Sequence, residues 1–209
     1  MDAEKIIIPL DVRLSNTFSL FRDGIHNDTR HINPLTFCDC TLKVGHEDIH
    51  VHKLLLAKHS KFFCEYFPNS KFEDIHSQEV IINFQSEKLP NPNNKFGDFI
   101  KMLYNEYARI TVEDIAAFLK IATFYKFEII ERNLINVLRK VFKDDNFLTI
   151  LKGLADFELN DQAQEFMPLI TKHFWKSYTD SSDKKFTIKQ IYESISPKIL
   201  SSILQNRDI

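Results

Sequence analysis

Residues 38–63, CDCTLKVGHEDIHVHKLLLAKHSKFF, bring two cysteines, four histidines and three consecutive leucines into one short span. The span can be read as a metal site, as a catalytic cluster, or as sequence whose role is to make the fold. Side-chain alternation separates these readings. Cys38, Cys40, Leu42 and Val44 fall on one side of an extended segment, and Asp39, Thr41 and Lys43 on the other. GHED (45–48) supplies a polar turn, and Ile49 and Val51 then resume the alternation, so the stretch predicts a hairpin with one buried face. KLLLAKH (53–59) predicts a short helix ending before Ser60, which has the chemistry of an N-cap. KFFCEYF (61–67) predicts a second helix that stops at Pro68.

A zinc ion needs about four nitrogen or sulfur ligands converging at roughly 2.0–2.3 Å. Cys38 and Cys40 share the face of Leu42 and Val44, whereas His50 and His52 lie on the face opposite Ile49 and Val51. In a pleated hairpin these two pairs project to opposite sides and cannot hold one ion. His46 sits in the turn and His59 lies beyond it at the end of the helix. A catalytic His52 would need a nucleophile and an orienting acid, for which Cys64 and Asp39 are the nearby residues. Cys64 falls within a Phe-rich helix, where it reads as a small core residue. The four glycines, at 24, 45, 97 and 153, are too scattered to form a phosphate-binding loop. The residues therefore predict no catalytic group, no metal and no cofactor, and an enzyme or metalloprotein built on these Cys and His residues is the last of three readings.

Outward from this stretch, Ile6–Ile8 predicts a short strand, and Phe18, Leu20 and Phe21 can anchor a short helix. On the other side, EVIINF (79–84) reads as a third strand. Phe96, Phe99, Ile100, Leu103 and Tyr104 follow the spacing of an amphipathic helix. ARI (108–110) is at most a stub of strand. Thr111 with Asp114 resembles a capping box and opens a helix whose apolar face is Ile115, Phe118, Leu119, Ala122 and Tyr125. Ile130, Leu134, Val137, Leu138 and Val141 mark the next. Beyond residue 144 the period is helical throughout: Phe147, Ile150, Leu151, Leu154 and Phe157 form one face, and Phe166, Leu169, Ile170 and Phe174 another, which Pro168 starts or kinks. SPKILSSIL starts a last helix with Ser196 as N-cap and Pro197 at the first helical position.

Composition narrows the function classes. The 209 residues are 44% hydrophobic and 27% charged, as in ordinary globular proteins. Nineteen phenylalanines against four glycines suit packed helices better than a loop-built active site. A net charge of −2 provides no field that favours nucleic acid or an anionic membrane. Three cysteines are no disulfide framework and favour a reducing compartment. MDAEKIIIPLD has too short an apolar run for a signal-peptide core, and no stretch approaches the roughly 20 apolar residues of a membrane span. The expected location is cytoplasmic or nuclear.

The motif and the order of elements together resemble the BTB/POZ domain. Its opening signature has an Asp entering the first strand, a turn, a second strand, a basic pair running into a Leu-rich helix, and a Ser before a Phe-containing helix. Asp39, His52, Lys53, Leu56, Ser60 and Phe63 fall at matching places. YNEYARI departs from the family pattern in lacking the glycine of its aromatic-x-Tyr-(Ser/Thr)-Gly turn. The tail resembles the helical BACK region that follows this domain in many cullin adaptors. The resemblance implies an α+β fold, a small three-stranded sheet with helices, followed by an all-α BACK-like region. The boundaries it implies are an N-terminal extension at 1–34, a BTB/POZ domain at 35–141 and the helical region at 142–209.

The same resemblance implies a non-enzymatic adaptor that homodimerises, docks a cullin scaffold and brings a client protein to a ubiquitin ligase complex. The alternative is an oligomerising scaffold, structural or transcription-linked, that needs no cullin. In the family, Asp39 and Lys53 line a charged pocket, which reads here as a partly buried ion pair. Phe72 and Asp74 fall where cullin-binding members carry a hydrophobic-x-Glu motif, with Asp for Glu. The resemblance implies neither nucleic acid nor membrane as a partner.

Overall fold

The computed structural model describes residues 5–9, 38–69, 80–85, 87–103, 107–142, 146–179, 195 and 197–205. Phe18, Leu20, Phe21, Phe72, Asp74, Tyr104 and Ser196 lie outside them. The elements run β1 (Lys5–Pro9), β2 (Cys40–Val44), β3 (Glu47–Val51), α1 (Lys53–His59), α2 (Lys61–Asn69), β4 (Val80–Asn83), α3 (Phe96–Leu103), β5 (Tyr107–Thr111), α4 (Val112–Phe124), α5 (Glu128–Val141), α6 (Phe147–Asp156), α7 (Asn160–Glu165), α8 (Met167–Thr179) and α9 (Pro197–Gln205). This is an α+β arrangement whose later part is helical. None of the described helices is long and apolar enough to cross a membrane.

The chain forms two compact units. The first holds β2, β3, α1, α2, β4 and α3, with the end of α4 and the start of α5. Its sheet has the order β3-β2-β4, antiparallel between β2 and β3 and parallel between β2 and β4. The hairpin closes more tightly than the sequence suggests: Val44 faces Glu47 across a two-residue turn, and Gly45 takes the positive φ of 63° that such turns require. Cys40, Leu42, Val44 and Val51 are buried, as the alternation predicts. Thr41, on the expected polar face, is nonetheless only 3% exposed. It lies between His50 and Ile81 in the neighbouring strands, and its hydroxyl shares a 2.9 Å hydrogen bond with His50 Nδ1. Central strands are shielded on both faces by their neighbours, which a single-strand pattern does not register.

Pro68 does not stop α2. The helix continues to Asn69; a proline so near the end forgoes one backbone donor and crowds one carbonyl a turn back, a local cost that leaves the preceding turns intact. Residues 107–111 are a full strand rather than a stub, because β5 pairs with β1 in a two-stranded sheet. Strand propensity in a short segment depends on its partner, and here that partner, Lys5–Pro9, lies far upstream in the sequence.

The second unit holds most of α4 and α5 together with α6–α9. The helix at α4 is buried on more than its predicted face: Ala116, Ala117 and Ile121 join Ile115, Phe118, Leu119 and Ala122. Such all-round burial weakens the periodic signal. Phe147, Ile150, Leu151 and Leu154 of α6 are all buried. Pro168 is the second residue of α8 and Pro197 the first of α9, both helix starts. The short α7, NDQAQE, has a single buried residue, Ala163, and too few apolar positions to be read from sequence.

A Cβ added at Gly153 of α6 would lie 2.7 Å from the Ala116 Cβ of α4, so these two backbones meet at glycine distance. An alanine in a helix interior ordinarily gains about 1 kcal/mol over glycine. Here it must also push two helices apart, at about 1–3 kcal/mol. Gly153→Ala is thus expected to destabilise by about 1 kcal/mol net, and Ala116→Gly in the same chain should recover most of the loss. Denaturant midpoints for the single and double variants check this; a stabilised single variant would show that the helices are not in contact at that point.

Candidate protein-docking site

Ser60 stands between α1 and α2 and makes two bonds at once. Its Oγ accepts the Phe63 N–H at 3.0 Å, an N-cap bond to the third helical residue, and its hydroxyl donates to the Tyr125 carbonyl at 2.6 Å. The Lys61 N–H donates to the Lys126 carbonyl at 3.2 Å. The start of α2 is therefore stitched to the end of α4. There the chain reverses through Phe127 N–H to Ala122 C=O at 2.8 Å and Lys126 N–H to Thr123 C=O at 3.2 Å, with Lys126 at φ 54°. This is a Schellman turn with lysine in the left-handed position that glycine usually fills.

Tyr125 is the centre of this seam. It is wholly buried, and its ring packs against Phe62, Phe63, Phe84, Phe96 and Phe124 with centroids 4.8–6.0 Å apart. Its hydroxyl donates to the Pro90 carbonyl at 2.8 Å. Outside this core lies a second tier of rings. Phe62 and Tyr66 are half-buried, Phe124 is 43% exposed, and Phe62 stands 5.8 Å from Tyr66 and 5.9 Å from Phe124. Charged side chains edge the group: Lys126 Nζ pairs with Glu65 at 3.1 Å, and the Tyr66 hydroxyl donates to Glu87. A rigid aromatic surface edged by charges is the anatomy of a binding hot spot. Residue-by-residue reading missed Phe124: it follows Ala117 and Ile121 at helical spacing, and both of those are buried, so no local pattern marks its ring as exposed.

Of the signature residues, Leu56 and Phe63 are core, and Ser60 is the cap just described. Asp39 and Lys53 do meet, but the bond at their meeting is to the backbone: Asp39 Oδ1 accepts the Lys53 N–H at 2.8 Å. Lys53 is the first residue of α1, whose N-cap residue His52 makes no side-chain cap bond. A carboxylate from the residue just before β2 thus satisfies one of the unpaired amides of the helix and faces its positive end. Asp39→Ala should cost about 1 kcal/mol, and Asp39→Asn, which keeps an acceptor oxygen, distinctly less; urea midpoints distinguish them. Equal losses in both would show that the contact is not a cap.

His52 is 8% exposed; its carbonyl accepts the Leu56 N–H at 3.1 Å. Burial lowers its basicity, against a partial pull upward from Asp39. Burial, and then Asp39, raise the Cys38 thiol pKa, which makes it a poor nucleophile. Cys64 is exposed, contrary to the expectation of a core residue. The buried stripe of α2 runs through Phe63 and Phe67, and Cys64, one position on, is turned about 100° away from it. Among the described residues no three His, Cys, Asp or Glu side chains are placed to hold a metal ion.

Comparison with known proteins adds two findings. The model of the BTB/POZ domain matches residues 28–141. Kelch-like protein 8 of Mus musculus is 24% identical over 176 residues, covering 82% of this chain and 25% of that protein. The chain thus spans about a quarter of the length of this curated relative.

Proposed function

The chain belongs to the BTB/POZ family, and on that premise we propose that it is a protein-interaction adaptor that homodimerises and docks a cullin scaffold, presenting a client protein for ubiquitin transfer. It performs no chemistry of its own and works in the cytoplasm or nucleus. Residues 35–141 are the docking module and residues 142–209 a BACK-like helical region. The observation that carries this reading is the ring surface of Phe62, Tyr66 and Phe124, held rigid by the Ser60–Tyr125 seam. A helix from a partner can set an apolar anchor against it at little cost in ordering. Phe72 and Asp74 follow α2 directly in sequence and supply the other contact. In this reading the exposed Leu54 of α1 belongs to the dimer surface.

The test is co-purification with a cullin N-terminal domain, with light scattering on the same sample. The expected result is a dimer that binds the cullin domain. Phe124→Ala and Phe72→Ala should each weaken binding about tenfold or more, which is about 1.4 kcal/mol, while leaving the dimer mass unchanged. A strictly monomeric protein at micromolar concentration would remove the dimer claim, and undiminished binding by both variants would remove the site. A second reading, an oligomerising scaffold that uses no cullin, draws on one residue: Asp74 is a methylene shorter than the Glu of the cullin-binding motif. Full dimerisation without any cullin binding would establish it.

A further inference from the structure

We draw no further inference here: the strongest candidate, the uncharged edge strand β4 with Ile81 turned outward on the three-stranded sheet, carries nothing because nothing in the structure shows what covers it.

Discussion

Tyr125→Ala should lower stability by about 3–5 kcal/mol, the cost of emptying a buried aromatic site, and should be the most damaging single substitution in the first unit. The ring is wholly buried and in contact with five phenylalanines from α2, α3, α4 and the segment after β4. Few of these neighbours can move in to fill the space, because Phe63, Phe84 and Phe96 are themselves fixed by packing. The hydroxyl adds a separate part. Burial pushes the phenol pKa far upward, so it stays a donor to the Pro90 carbonyl at every working pH. Tyr125→Phe keeps the ring and should lose only about 1 kcal/mol, the usual net worth of one hydrogen bond. Urea unfolding of both variants gives the two numbers. Comparable losses in Phe and Ala would mean that the hydroxyl, and not the ring, organises the seam.

The protein should lose stability steadily as pH falls from about 6.5 toward 4, and His59 should be the main cause. Burial, and then the Lys58 ammonium beside it, hold the His59 imidazole down to about 4. The unfolded chain takes up that proton near pH 6.5. Over this window the unfolded state therefore binds more protons, so stability is complete above the upper value and is lost as pH falls through the lower one. The full difference is on the order of 3 kcal/mol, which solvent screening at a half-buried ring reduces to about 2 kcal/mol. His52, lowered in the same direction, adds to the slope. Carboxylates titrate mostly below pH 5, so the interval from 6.5 to 5 isolates the histidines. His59→Gln should flatten the stability profile there; an unchanged slope would show that this imidazole is as solvated folded as unfolded.

Much of the fold was legible because the deciding segments combine period with punctuation. In residues 38–63 the alternation of Cys40, Leu42 and Val44, the Gly45 turn and the Ser60 cap each specify one local choice, and all agree. The pairing of β1 with β5 was not legible, since no local pattern records a partner so distant in the chain. The α7 helix lacks an apolar stripe, and α4 has apolar residues on too many sides to show one. The site was legible in its supports and not in its surface. Ser60 could be recognised as a cap from its neighbours, but its bond to the Tyr125 carbonyl joins residues 65 positions apart. The opposite charges of Asp39 and Lys53 suggest a bond between side chains, and the bond between them in the structure runs from the Lys53 backbone amide to the Asp39 carboxylate. The exposed ring of Phe124 depends on which side of α4 faces solvent, and composition does not fix that.

The pairing of β1 with β5 also imposes an order in time. The hairpin of β2 and β3 can close as soon as Val51 is clear of the ribosome, and β4 can join it some 30 residues later. The first strand is made before any of them, yet its partner begins only at Tyr107. At about 5–20 residues per second, β1 waits roughly 5–20 s for it. Among the described strands, the one synthesised first is thus the last to be paired.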